Sequence, residues 1–270
     1  MCALRYFFLS ERKPDLLSIL TRENGGTQVR KRILGALAAL LVPAVLLWQG
    51  EVLPAGGGAM VKLPDEPPLV ALTFDDGPRN STTRPLLEGL ALREVPATFF
   101  LVGERMEGSE ELIRRMDADG HQIGIHTYDH VRMTRLSREE YNGQVERTRA
   151  ALEDILGPGE YWLRPPYGIV DETVTAWADG PLILWSVDPE DWKDGNVERI
   201  VSSVVDRAKD GDIILMHDIY ESSVEAALRI VDTLLDRGYC FVTVEQLMEL
   251  RRVEPAAGEL YSGFPVRDGN

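Results

Sequence analysis

One pattern constrains this chain more than any other: short apolar runs, most of them ending in ionisable residues, alternate with amphipathic stretches. The runs span residues 69–74, 97–102, 121–125, 161–164, 182–187, 212–216 and 240–244. Between them lie amphipathic stretches at 83–93, 110–118, 138–155, 171–178, 197–208 and 223–237. Strand–helix alternation of this kind implies a parallel sheet with right-handed crossovers. Ionisable residues gathered at several strand ends are the arrangement of a β/α barrel, whose active site lies at the carboxyl ends of its strands. An open doubly wound sheet is the alternative. It is disfavoured because no Gly-rich phosphate loop follows the first run and because the polar residues are shared among five strand ends.

The first run ends in Thr73-Phe74-Asp75-Asp76-Gly77-Pro78, two adjacent carboxylates before a Gly-Pro stop. Side chains alternate along a strand, so the two would diverge unless the chain turns there. At a strand end one carboxylate can hold a metal while the other stays free as a base. An Asp-Asp pair alone is weak evidence, since most are solvated turns. The four histidines, His121, His126, His130 and His217, add weight. His126 and His130 share a face if their segment, His126-Thr127-Tyr128-Asp129-His130, is helical or tightly turned. Two imidazoles at that spacing plus a carboxylate from elsewhere make a three-ligand divalent-metal site with room for water. His121, opening a strand after Gly120, reads as a structural, hydrogen-bonded residue.

Three further strand ends carry chemistry. Trp162-Leu163 breaks into the rigid loop Arg164-Pro165-Pro166-Tyr167-Gly168, residues 182–187 lead into Asp188-Pro189-Glu190-Asp191-Trp192, and Leu215-Met216 runs into His217-Asp218. Taken in order, the five segments resemble the motifs of the polysaccharide deacetylase family (carbohydrate esterase family four, named for its likeness to a nodulation chitooligosaccharide deacetylase). The resemblance covers roughly residues 66–250, and within it the chain is most like bacterial cell-wall deacetylases of peptidoglycan N-acetylglucosamine. It implies a distorted (β/α)7 barrel and a metal-dependent hydrolase of N-acetyl groups.

The resemblance also assigns roles. Asp76, His126 and His130 would hold one divalent ion, zinc first, with cobalt, nickel or manganese also compatible. Asp75 would be the general base and Arg164 would hold its carboxylate ionised. The Tyr167 backbone N–H would help stabilise the oxyanion, and His217, paired with Asp191, would be the general acid. Trp192 and Leu215 would wall the acetyl methyl, although plain barrel core explains Leu215 equally well. Asp188 and Asp218 read as loop-ordering residues. Other substrates of the same chemistry are chitin oligomers, exopolysaccharides, N-acetylmuramic acid and O-acetyl xylan. A non-catalytic, metal-containing sugar-binding domain is the alternative of a different class, and would be favoured by loss of Asp75 or His217; both are present.

Charge and N-terminal patterning bear on location and partners. Residues 1–48 carry +4 of the net −15, which leaves −19 on the remainder. So acidic a catalytic part disfavours nucleic acid as a partner and suits a polysaccharide substrate. Arg30-Lys31-Arg32 precedes the uncharged stretch 33–48, which reads as a signal-anchor or signal peptide with its amino end in the cytoplasm. That puts the catalytic part outside the bacterial cytoplasm at the cell wall, anchored to the membrane or secreted. Residues 1–32 read as a cytoplasmic segment or, with a start near Val29, as a misassigned beginning. The Pro/Gly-rich 49–67 reads as a flexible linker, 68–252 as the catalytic domain, expected to be monomeric, and 253–270 as a loosely ordered tail.

Overall fold

The computed structural model describes residues 67–265. The expected N-terminal segment 1–32, the apolar stretch 33–48 and nearly all of the linker 49–67 lie outside the described residues. Among the described residues no helix is long and apolar enough to cross a membrane.

Strands and helices follow one another as β1 (Leu69–Asp75), α1 (Asn80–Leu92), β2 (Thr98–Leu101), α2 (Glu110–Ala118), β3 (Gln122–Ile125), α3 (Arg138–Leu156), α4 (Glu172–Trp177), β4 (Leu182–Ile183), α5 (Val197–Val205), β5 (Asp212–His217), α6 (Glu221–Asp236), β6 (Cys240–Phe241), α7 (Val244–Leu250) and β7 (Leu260–Tyr261). β1 is buried along its whole length, as a central parallel strand must be. β2 and β5 flank it, β3 extends the sheet beyond β2, and β6 pairs with the first residues of β1, all in parallel. Parallel bridges carry the pairing onward from Ile125 to Leu163 and from Leu163 to Leu182. Val187 then bridges to Ile214 of β5, which closes a ragged ring. The fold is therefore the expected distorted parallel α/β barrel.

Helices cover the outside through apolar stripes. α1 buries Leu86, Leu87 and Leu90, and α6 buries Val224, Ala227, Ile230, Val231 and Leu234 at helical spacing. Local signals set the helix starts. Ser137 accepts from the Glu140 N–H while the Glu140 carboxylate returns to the Ser137 N–H, so α3 opens with a capping box. Asp171 and Asn196 cap α4 and α5 in the same side-chain-to-backbone manner.

The sequence expectation differs from the structure in four places. The strand expected at 182–187 keeps only Leu182–Ile183, with Val187 a lone bridge to Ile214. The strand expected at 161–164 shrinks to the single bridged residue Leu163, because Pro165 and Pro166 lack the N–H a ladder needs. The run expected to continue to Val244 ends at Phe241, since Thr243 and Gln246 form a capping box that starts α7. The tail from 253, expected to be loosely ordered, is tied into the fold over its described part. β7 pairs with β4, Gly263 bridges to Asp212, and Phe264 is buried. These residues pack beside the junction where Ser186 and Val187, after β4, meet the start of β5.

Candidate active site

The register of β1 against β5 sets Asp75 directly opposite His217, so the expected base and acid stand level on neighbouring strands at their carboxyl ends. Beyond Asp75 the chain turns. Asp76 has φ of 72°, a left-handed conformation uncommon for a residue with a side chain. The turn removes the divergence that strand alternation would impose. Asp75 Oδ2 lies 3.7 Å from His126 Nε2, and Asp76 Oδ1 lies 3.6 Å from the same nitrogen and 3.2 Å from His130 Nε2.

His126 and His130 follow β3 on a tight loop, not on a helix. Thr127 and His130 are also left-handed, with φ of 64° and 59°, and the two imidazole centroids are 5.0 Å apart. Five of the seven non-glycine residues with positive φ among the described residues lie in the motifs, at Asp76, Thr127, His130, Tyr167 and Glu190, which is where backbone strain concentrates in functional sites. Gln144 of α3 holds the loop, its Oε1 accepting from the N–H groups of Tyr128 at 2.9 Å and Asp129 at 3.2 Å.

The donor set fits a cation. His126 Nδ1 lies 2.7 Å from the Arg164 carbonyl, which can only accept, so Nδ1 carries the proton and Nε2 is left bare. Burial, opposed by Asp76, pushes His126 down to about 3, so it is neutral at ordinary pH. Asp76 Oδ1 is sealed from solvent without a hydrogen-bond partner among the described residues. One ligand atom from each of Asp76, His126 and His130 falls within 4.8 Å of the others. A buried, unpartnered carboxylate oxygen facing two imidazole nitrogens is costly unless a cation joins them.

Arg164 is fully buried and its guanidinium ties Asp75 to the backbone at and just after β4. Its Nη1 donates to Asp75 Oδ1 and to Thr73 Oγ1, each at 2.7 Å, while Nε and Nη2 donate to the carbonyls of Ile183 and Leu184 at 3.2 and 3.0 Å. Its guanidinium also lies over the Phe100 ring, 4.1 Å from the centroid. Burial pushes the Asp75 carboxyl up, while the charge of Arg164 and then of His217 draw it back.

His217 is clamped by Asp191, which is itself almost wholly buried. Asp191 Oδ1 lies 2.7 Å from His217 Nδ1 and Oδ2 accepts from the His217 backbone N–H at 2.9 Å. Burial opposes the imidazolium, but the hydrogen bond and charge of Asp191, helped by Asp75 and Asp76, outweigh it and raise His217 to about 9. Tyr167 sits in a short turn with φ of 63°, its ring edge-on to His130 at 4.8 Å between centroids. Leu215 is buried on β5 opposite Thr73, and Trp192, next to Asp191, is about half exposed at 53%.

His121 is structural, its Nδ1 accepting from the Ala97 N–H at 3.0 Å. Asp188 orders its loop by accepting from the Glu190 N–H at 2.7 Å. Asp218 is fully buried and accepts from the Thr83 hydroxyl, and burial raises it to about 7. A Cβ at Gly77 would come within 2.4 Å of the Asp218 carboxylate, so only glycine fits there. Sequence reasoning missed Gln144 and also Arg105, whose Nη1 donates to the Asp76 carbonyl at 2.5 Å. Neither carries a local signal, because each reaches the site from a distant element.

Comparison with known proteins agrees with this architecture. Residues 62–179 match the family model described as polysaccharide deacetylase. The peptidoglycan-N-acetylmuramic acid deacetylase PdaC of Bacillus subtilis is 42% identical over 188 residues, 70% of this chain and 40% of that protein. The peptidoglycan-N-acetylglucosamine deacetylase PgdA of Listeria monocytogenes is 38% identical over 192 residues, 69% of this chain and 41% of that protein. The chain thus spans about two fifths of the length of these two relatives. The structure of a family 4 acetyl xylan esterase from Clostridium thermocellum, in complex with a cobalt ion, superposes with a TM-score of 0.70 at 33% identity, covering 73% of this chain and all of that one. Fold and site define a parallel barrel with an Asp-His-His cluster beside a paired Asp and His. The chain belongs to the polysaccharide deacetylase family.

Proposed function

We propose that this chain is a metal-dependent hydrolase that removes N-acetyl groups from a cell-wall polysaccharide, with the N-acetylglucosamine of peptidoglycan as first substrate. The observation that carries the reading is the register of Asp75 against His217 beside the Asp76, His126 and His130 cluster. A divalent ion held by those three residues, zinc first, would make a water acidic enough to lose its proton near neutral pH and would draw charge toward the acetyl oxygen. Asp75, fixed by Arg164, takes the proton from the attacking water. The new C–O bond forms as the carbonyl oxygen gains negative charge, which the Tyr167 N–H helps stabilise. His217 Nε2, its other nitrogen held by Asp191, then gives a proton to the departing nitrogen. The C–N bond breaks to release acetate and an amine. Trp192 and Leu215 would flank the acetyl methyl.

The N-acetylmuramic acid of the same polymer is the second reading, favoured by the identity to PdaC. The full pairing of Asp75 with Arg164 and of His217 with Asp191 disfavours a sugar-binding domain without catalysis. Action on peptidoglycan would set the domain outside the cytoplasm, with anchoring left to the 33–48 stretch. Acetate release from defined oligosaccharides of each sugar type tests the reading, and release from none of them refutes it.

A pH effect follows from the His217 environment. The acid must be protonated, and Asp191 raises its pKa to about 9. In Asp191→Asn the stabilising charge is gone, so the pKa falls toward the ordinary histidine value and activity is lost at lower pH. The basic limb of the kcat/KM profile should shift downward while the acidic limb stays nearly in place. An unmoved basic limb contradicts the role given to His217.

A further inference from the structure

A cavity of about 390 Å³ is lined by Pro78, Arg79, Asn80, Arg105, Ser109 and Ile219, and Arg105 ties it to the backbone of Asp76. It is flanked by continuations of both catalytic strands, since Pro78 and Arg79 follow Asp76 and Ile219 follows His217. Its chemistry is opposite to that of the whole, because its lining holds two arginines and no acidic residue in a chain of net charge −15. Neither arginine has a carboxylate partner among the described residues. Arg79 Nη1 donates to the Ile219 carbonyl at 2.9 Å and Arg105 Nη1 to the Asp76 carbonyl at 2.5 Å, one bond for each head, which leaves further N–H groups of each unused. Asn80 Nδ2 donates to Ser109 Oγ at 3.2 Å, so the buried Ser109 hydroxyl keeps its own proton to donate. The cavity also meets the start of α1, whose first turn holds no acidic residue to offset the positive helix end.

We propose that this cavity is an anion subsite that receives a carboxylate carried on the glycan strand next to the sugar being deacetylated, such as the lactyl carboxylate of a muramoyl unit that carries no stem peptide. The inference deepens the deacetylase reading and rests on it for the identity of the strand. Guanidinium forks with spare donors suit a planar carboxylate. A neutral chitin-type oligomer would leave them unmatched. Long-range attraction cannot supply this preference in so acidic a chain, so it must come from contact within the cavity.

The test uses the full chain with an alternating tetrasaccharide of N-acetylglucosamine and N-acetylmuramic acid, and with the methyl ester of its lactyl groups. Wild-type kcat/KM should favour the free carboxylate by about fivefold, the size of a partly exposed charge-assisted hydrogen bond. Arg79→Gln should bring the ratio near one and Arg79→Lys should keep part of it, with thermal unfolding checking that both variants fold. A wild-type ratio near one, or a ratio unchanged in Arg79→Gln, overturns the subsite while leaving deacetylation intact. Calorimetric titration with the same two oligosaccharides separates the failures. If no glycan yields acetate but binding still prefers the carboxylate and loses that preference in Arg79→Gln, the deacetylase reading falls and the subsite stands.

Discussion

Asp75→Asn should lower kcat/KM by roughly 10²-fold to 10⁴-fold, the usual range for a lost general base, while fold and metal content stay at wild-type levels. The amide is nearly isosteric, and its oxygen can still accept from Arg164, so the packing around Arg164 survives. What disappears is the capacity to take a proton. Asp75 is not one of the three clustered ligands, so loss of rate should come without loss of the ion. Acetate release measured alongside metal content separates the two roles. Near-wild-type turnover in Asp75→Asn contradicts the base, and a variant that loses both rate and metal would move Asp75 into the ligand set.

Arg164→Ala should show the largest loss of stability of any single change at the site, about 3–5 kcal/mol by the usual cost of breaking a buried ion pair. The side chain is fully buried, and its removal strands the Asp75 carboxylate, the Thr73 hydroxyl and the carbonyls of Ile183 and Leu184 together. It also opens a cavity against Phe100. Arg164→Lys should recover only part of the loss, because one ammonium cannot reach four acceptors spread around a planar fork. Urea unfolding of wild type, Arg164→Ala and Arg164→Lys measures the series. Equal midpoints for wild type and Arg164→Ala would show that the guanidinium does not bind β1 to β4 as described.

The strand ends were legible because buried parallel strands are written as continuous apolar runs, and the ionisable residues that follow stand out against them. The start of α3 falls where the sequence places it, after Ser137, whereas the capping box of Thr243 and Gln246 that starts α7 lay hidden inside a run read as strand. The backbone geometry at the site was not. Sequence suggests that Asp75 and Asp76 diverge, and only the left-handed turn at Asp76 brings both carboxylates to His126. The spacing of His126 and His130 fits a helix as well as the strained loop that forms. Arg105 and Gln144 reach the site across the fold, and Phe264 packs from a tail whose glycines and prolines suggest no packing at all. Such contacts depend on which elements the barrel brings together, a property that no local window carries.

Deacetylation is proposed to depend on a divalent ion held by Asp76, His126 and His130. Metal content by atomic emission, together with acetate release before chelation, after it and after zinc is restored, tests it most directly. The expected result is one ion per chain in the wild type, lost on chelation together with activity and regained with zinc. Asp76→Ala should fail to retain the ion under conditions where Asp75→Asn keeps it. Undiminished acetate release by protein shown to be free of metal would contradict the account.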